Sequence, residues 1–367
     1  MAITQYGVND ALAVKRWARD LDYEVKKGLE IAPLIGTGNN AIIQEKKELK
    51  SRGDQVTCAL RVQLTGTGRT ENETLEGNEE SLTTYSDALL INELVHAVRV
   101  EGEDSIDQQR VLFNLRNEAK SGLADWYAER LSLSFFIQAS GYTASSMTYR
   151  GTSTSLSTVH KGLNTVTAPS TNRKVYSTGS ADETVNADST ATMSLELIDY
   201  AKEKAMTANP RVRPVVVNGK KMYVCYLHPF QVTDLRTNTS TGQWLDIQQA
   251  AMAGGKVSDN PIFSGALGVY NGVVLRENED VVPGVHSTTA AEQTSTRRAL
   301  FLGAQSSAVA FSTKFSKASP YKWVEKKFDY DRELGVSVQS LMGLKKTIYN
   351  SEDFGVLTIS TYAAAHG

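Results

Sequence analysis

Two periodicities alternate along this chain and divide it into elements. Ala13, Trp17, Leu21 and Val25 recur every four residues, after Asn9 or Asp10 as a cap and before Gly28 as a stop. That spacing predicts an amphipathic helix over 9–28. A short apolar stretch at 31–35 then runs into Gly36, Gly38, Asn39 and Asn40, a loop composition. The region reads as a helix on an extended arm with too little apolar surface to fold alone. At residues 56–64 the period changes to two. Val56, Cys58, Leu60, Val62 and Leu64 alternate with Thr57, Ala59, Arg61 and Gln63, as in a strand with one buried face. Residues 88–100, with Leu90, Leu94, Val98 and Val100 in one parity, are the expected partner strand. Between the two lie Gly66-Thr67-Gly68 and a polar stretch carrying Glu71, Glu73, Glu76, Glu79 and Glu80. The whole predicts a long antiparallel excursion with an acidic tip.

The period then returns to 3.6. Val111, Leu112, Leu115, Ala119, Leu123, Trp126, Leu133 and Phe136 follow spacings of three and four, with Ser105 and Gln108 as a capping box and Gly141 as a stop. One helix over 106–139 is expected, about 50 Å long at 1.5 Å per residue. Its core side are Leu115, Leu123 and Trp126. Residues 140–194 lose periodicity: 23 of these 55 positions are Ser or Thr and seven are charged. Loop or irregular β structure, exposed and flexible, is the expectation there. A helix follows at Leu195–Ala205. Two hairpins come next, Val215–Leu227 turning at Asn218-Gly219 and Gly268–Arg276 turning at Asn271-Gly272. His228-Pro229 opens a short helix to Leu235, and strand-like runs close the chain at Val336–Leu344 and Val356–Thr361.

Composition narrows the function classes. The chain has 367 residues, 41% hydrophobic and 22% charged, enough to bury two or three cores. Its net charge of −2 excludes a globally basic nucleic-acid binder. Two cysteines, Cys58 and Cys225, make neither a disulfide framework nor a multi-cysteine zinc site, and they fit a reducing compartment. No run of about 18 apolar residues predicts a membrane span, and the N-terminus has no signal-peptide pattern.

Catalytic signals are weak. No two of the five histidines share metal-ligand spacing. Asp353-Phe354-Gly355 has the letters of a kinase tripeptide without the other kinase motifs, and Gly66-Thr67-Gly68 lacks the rest of a dinucleotide fingerprint. His228, before a proline at a strand end, reads as a structural hydrogen-bonding residue. No catalytic residue, metal or cofactor is expected. Three short basic clusters stand out: Lys46, Lys47, Lys50 and Arg52; Lys220 and Lys221; and Lys322, Lys326 and Lys327. Each reads as a solvated surface or as the receptor for an acidic tip.

The order of these elements, a helical arm, an acidic-tipped hairpin, a long helix and a mixed body, resembles the major capsid protein of tailed bacteriophages. The local words RGDQVTCALRVQLTG (52–66), LEGNEE (75–80), YLHPFQVTDLR (226–236), NPIFSGALGVYNGVVLRE (260–277), DYDRELGVSVQSLMGLKK (329–346) and DFGVLTIST (353–361) are similar to that family. The resemblance implies an α+β, Hong Kong 97-type fold. In it, 1–50 is an N-terminal arm, 51–100 an extended loop and 101–194 a peripheral domain with the spine helix and the Ser/Thr-rich insertion. An axial domain at 195–312 and peripheral strands at 313–367 complete it. It implies no enzyme but a structural subunit that assembles with itself, as hexamers and pentamers, into an icosahedral shell around double-stranded DNA. The DNA would be held by weak non-specific contact, and no membrane is involved. A separate scaffolding protein, a portal and a decoration protein are the implied partners, and the virion capsid, assembled in the bacterial cytoplasm, the implied location. The alternatives are another virion protein or a nanocompartment shell of the same fold, and last an enzyme.

Overall fold

A computed structural model describes residues 11–46, 54–62, 64, 66–101, 106–110, 114–217, 219–237, 267–312, 319–330 and 332–366. Its centre is an eight-stranded sheet whose sequence alternates for two different cores. Tyr223, Cys225 and Leu227 of the strand Lys220–Leu227 join one apolar cluster, and Val224 and Tyr226 join the other. The neighbouring strands obey the same parity: Val273 and Leu275 against Val274, and Ala299 and Phe301 against Leu300 and Leu302. A strand buried on both faces needs a layer on each. The helix Leu195–Thr207 covers one face with Leu195, Leu197, Ile198, Ala201 and Ala205. The helix Leu115–Ser140 belongs to the cluster on the other.

The strand order of this sheet runs Gly268–Tyr270, Val273–Glu277, Lys220–Leu227, Glu292–Leu302, Val356–Tyr362, Lys174–Tyr176. Both predicted hairpins are present, and Asn271 and Gly272 turn the second with φ of 44° and 74°. A six-stranded sheet is organised by the 14-residue strand Glu333–Lys346. Asn92–Glu101 pairs with its first part, and Tyr321–Phe328 and Ser307–Phe311 pair with successive parts of it. Ile43–Lys46 extends the sheet beside Ser307–Phe311. The sheets do not follow the expected domain boundaries. Ser307–Phe311 lies in the six-stranded sheet, whereas Lys174–Tyr176 and Val356–Tyr362 lie in the eight-stranded one.

The long helix ties the sheets together. Its residues 131–140 are buried without exception, which a helix tolerates only when it is surrounded. The expected single helix over 106–139 is in fact two segments, Ile106–Arg110 and Leu115–Ser140. The Asn114 side chain accepts from the N–H groups of Arg116 and Asn117 and so caps a new start. The Ser105 cap lies outside the described residues. Gly141, at φ 62°, closes the other end as expected. In the arm helix Ala11–Gly28, Leu21 and Val25 are buried as the stripe requires. The side chains of Ala13 and Trp17 are outside the described residues.

Two expectations need correction. Trp126 is half-buried rather than buried, stacked on His96 with ring centroids 4.3 Å apart. The fully buried aromatic is its neighbour Tyr127, whose hydroxyl donates to the carbonyls of Leu94 and Val338, both at 2.9 Å. Burial holds that hydroxyl protonated well above the usual tyrosine range. The Ser/Thr-rich stretch, expected to be exposed and flexible, is pinned by buried polar residues. Arg173 is fully buried and donates to the carbonyls of Asp353 and Pro210. Asp182 pairs with Arg298 at 2.6 Å. Low hydrophobicity misled because these side chains hold the segment through distant backbone and charged groups.

Tyr127→Ala is therefore expected to cost about 3–5 kcal/mol in chemical denaturation, and Trp126→Ala less, about 1–3 kcal/mol. Equal losses would contradict this ordering.

Candidate assembly interface

The strand Gln55–Arg61 pairs antiparallel with Thr84–Leu90 in the register Gln55↔Leu90 to Arg61↔Thr84. Its partner is thus not the whole stretch 88–100. The chain leaves the hairpin at Ile91, and Asn92–Glu101 pairs with Glu333–Lys346 instead. Alternation in 55–64 predicted which side chains are buried, not how far they are covered. Val56, Cys58 and Leu89 are buried against Ala308 and Ala310. Further out the cover ends: Leu64 is 55% exposed and every residue from Gly66 to Thr84 is exposed.

Four features lock the root of this hairpin to the body. A Cβ on Gly343 would lie 2.2 Å from the Leu90 carbonyl oxygen, so only glycine lets the two strands cross. Asn164, from the Ser/Thr-rich stretch, accepts from the Leu90 N–H at 2.9 Å and donates to the carbonyls of Leu90 (2.9 Å) and Leu344 (3.2 Å). Lys345 pairs with Asp87, whose other oxygen accepts from the Ile348 N–H at 3.1 Å. Gln138 on the long helix donates to the Asn164 carbonyl, and His160 packs beside it, 2.9 Å from the Gln138 amide. Burial pushes the His160 pKa down to about 4, so the ring is neutral near pH 7.

The tip folds on itself. Glu80 accepts from the Gly66 N–H at 2.7 Å, Glu79 from Gly77 at 2.8 Å and Glu73 from Thr70 at 3.3 Å. Arg69 donates to Asn78 at 2.7 Å. All five expected glutamates, Glu71, Glu73, Glu76, Glu79 and Glu80, are exposed, and so are Leu75 (64%) and Leu82 (57%). Of the expected basic partners, Lys322, Lys326 and Lys327 are exposed on the strand Tyr321–Phe328, and Lys46 is half-buried at the end of Ile43–Lys46. Lys47, Lys50 and Arg52 lie outside the described residues. On the long helix, Leu123 is fully buried and Leu115 half-buried. Asn164, Asp87 and Lys345 carried no local pattern that marked them. Gly343, a glycine inside a strand pattern, did carry one.

Among the described residues the five histidines form no cluster. His228 caps the helix Pro229–Thr237, its Nδ1 accepting from the Phe230 N–H at 3.2 Å. Among the described residues, no group of three or more His, Cys, Asp or Glu is placed to hold a metal ion, and no helix is long and apolar enough to cross a membrane.

A mixed body with a bridging helix, and a hairpin rooted in it but uncovered at its tip, defines the shell-forming class of Hong Kong 97-type subunits. The comparisons with known proteins agree. The sequence profile described as phage capsid protein matches residues 5–365, so the chain belongs to the phage capsid protein family. It is similar to the major capsid protein of Pseudomonas phage KPP25, with 28% identity over 95% of this chain and 94% of that one. Its fold is similar to the capsid of Ralstonia phage GP4, with a TM-score of 0.79, 32% identity and 91% of each chain covered. The cyanophage Pam1 capsid shares the fold at a TM-score of 0.66 and 20% identity, with 92% of this chain and 93% of that one covered. The chain is a structural, non-enzymatic subunit of a phage capsid shell and hence a virion component.

Asn164→Ala would strip partners from three backbone groups at the hairpin root. A loss of about 2–4 kcal/mol is expected, together with faster amide hydrogen exchange in 55–61 and 84–90. Unchanged exchange there would show that the remaining contacts suffice.

Proposed function

We propose that this subunit is the principal building block of an icosahedral shell, arranged as hexamers and pentamers around double-stranded DNA, and that its hairpin is a strap laid on a neighbouring subunit. The observation that carries the strap is the contrast along the hairpin. Its root is held by Gly343, Asn164 and Asp87, while Leu64, Leu75 and Leu82 at its far end are exposed among the described residues. A two-stranded ribbon is marginal alone in water and gains stability when it lies on a partner. The capsid relatives support the setting, since they span nearly the whole chain.

In this reading residues 1–50 form the arm, 51–100 the extended loop, 101–194 and 313–367 the peripheral domain, and 195–312 the axial domain at the capsomer centre, with Ser307–Phe311 lent to the peripheral sheet and Lys174–Tyr176 and Val356–Tyr362 to the axial one. The tip glutamates face the basic side chains Lys46, Lys47, Lys50, Arg52, Lys322, Lys326 and Lys327 of neighbours. Each exposed pair contributes at most about 1 kcal/mol, so these charges set register more than strength. The net charge of −2 suits a container, because a strongly cationic wall would grip DNA and oppose its packing and release. A separate scaffolding protein and a portal serve assembly in the host cytoplasm, and a decoration protein can add outer contacts.

Deleting residues 66–80 is expected to leave a folded subunit that cannot form stable shells. Shells of normal size and thermal stability, measured by electron microscopy and calorimetry, would exclude the strap. The lock between subunits is expected to be non-covalent. In the fold's namesake an isopeptide bond joins a loop lysine to a neighbour's asparagine, but here no lysine occurs between Lys50 and Lys120. Arg61, Arg69 and Arg99 cannot replace that amine, because a guanidinium stays protonated. Mature particles boiled under reducing conditions should run as one band near 40.1 kDa; a ladder of covalent multimers would refute this.

A further inference from the structure

Two adjacent arginines on the strand Glu292–Leu302 have opposite surroundings. Arg298 is buried and fully engaged, by Asp182 and by the carbonyls of Ser140 (3.3 Å) and Gly141 (3.1 Å). Arg297 is half-buried, and its Nε is sealed from solvent with no partner. Among the described residues its guanidinium makes no hydrogen bond or ion pair. The Phe230 ring is its neighbour, with the ring centroid 5.9 Å from the guanidinium carbon. Burial pulls its pKa below the ordinary arginine value, and Glu292 and Tyr142 only offset this. Glu292 itself is held by the Thr148 N–H and hydroxyl. A guanidinium drawn partly out of water, with its Nε unpartnered among the described residues, is costly and calls for an explanation.

Arg297 lines a cavity of about 340 Å³. Its apolar walls include Leu133, Met147, Val281 and Val282. The acids on its rim are occupied. Asp280 accepts from the Ser132 hydroxyl at 2.6 Å and the Tyr149 hydroxyl at 3.2 Å, and Glu279 pairs with Arg150 at 3.0 Å. His228 also lines the cavity, and because its Nδ1 accepts from Phe230, its proton sits on Nε2. Burial keeps that ring neutral, with a pKa pushed down to about 3. What the cavity leaves unused is thus a guanidinium and an imidazole N–H, both donors, beside an apolar wall. The matching ligand is a carboxylate next to an aliphatic side chain.

The hairpin tip carries that pair. Leu75 is 64% exposed and Glu76 is exposed beside it. Glu73, Glu79 and Glu80 already accept backbone N–H groups of the tip, whereas Glu76 accepts from none among the described residues. Glu71 is equally unengaged, but its neighbours Thr70 and Asn72 offer no apolar partner. We propose that Leu75 and Glu76 of a neighbouring copy dock in this cavity, the leucine against Met147 and Leu133 and the carboxylate on Arg297 and the His228 Nε2–H. This rests on the strap reading and adds the surface that receives the strap. This contact is then the desolvated anchor of the strap.

Disulfide capture tests it. Leu75→Cys combined with Met147→Cys, in a chain whose native Cys58 and Cys225 are buried, should give a ladder of linked multimers when assembled shells are oxidised. The ladder should vanish with reductant and be absent from either single variant and from dissociated subunits. Shells of normal size without a ladder would overturn the proposal and leave the strap reading intact; stable shells from the 66–80 deletion would instead overturn the strap. A missing ladder together with stabilisation of dissociated subunits by inorganic phosphate would assign the cavity to a free anion, also against the proposal. In a second arm, Glu76→Arg, an exposed and safely folding change, should lower shell yield at least about tenfold, and adding Arg297→Glu should restore it. An undiminished yield from Glu76→Arg counts against the docking.

Discussion

The carbonyl oxygen of Leu90 lies so close to Gly343 that a single added methyl would meet it at 2.2 Å. That crossing sets the geometry of the whole projecting hairpin. At this point the chain stops pairing within the hairpin and, after Ile91, begins a ten-residue strand beside Glu333–Lys346. A change of strand partner leaves backbone groups without a ladder, and the Asn164 side chain satisfies three of them. The amide group does what a neighbouring strand would do, but with the short reach of a side chain. It therefore fixes both the position of Leu90 and the direction in which the hairpin leaves.

The rest of the subunit makes that fixed point rigid. Asn164 is itself held by Gln138, which lies in the part of the long helix that is buried all round. The same helix belongs to the core that lines one face of the eight-stranded sheet and packs on the six-stranded one through Tyr127, Leu94 and Val338. Displacement of the hairpin root would thus disturb both sheets. Close-packed interiors transmit such strain rather than absorb it, so the direction in which the hairpin leaves the body is coupled to both sheets.

Stability and assembly are drawn from different parts of the chain. The two large apolar clusters hold the folded subunit. The hairpin tip and the cavity around Arg297 add little to that and leave unmet demands, exposed leucines on one and an arginine Nε without a partner among the described residues in the other. Such groups are tolerated in a subunit whose finished state is an assembly, because association can cover what folding does not.

Local pattern alone determined the elements and their buried faces. Val56 and Cys58 are inside, Leu21 and Val25 face the core, Gly141 ends the long helix and Asn271-Gly272 turns a hairpin, all as the spacing required. These features depend on backbone geometry over a few residues. The partners of those faces were decided only in three dimensions. Alternation in 88–100 placed Leu94, Val98 and Val100 on the covered face, but it misplaced Leu90, which is 52% exposed, and could not show that pairing with 55–61 ends there, since the strand period is the same beside any partner. The five exposed glutamates were legible from composition, but the lock that aims them was not. Asn164 lies 74 residues from Leu90 and 180 from Leu344, and a polar side chain that serves distant backbone groups looks in sequence like any other loop asparagine. Arg297 likewise reads as one of two neighbouring arginines. Only the tertiary structure gives Arg298 its aspartate and leaves Arg297 facing a cavity, because strand alternation sends adjacent side chains to opposite faces and the surroundings of each face come from far along the chain.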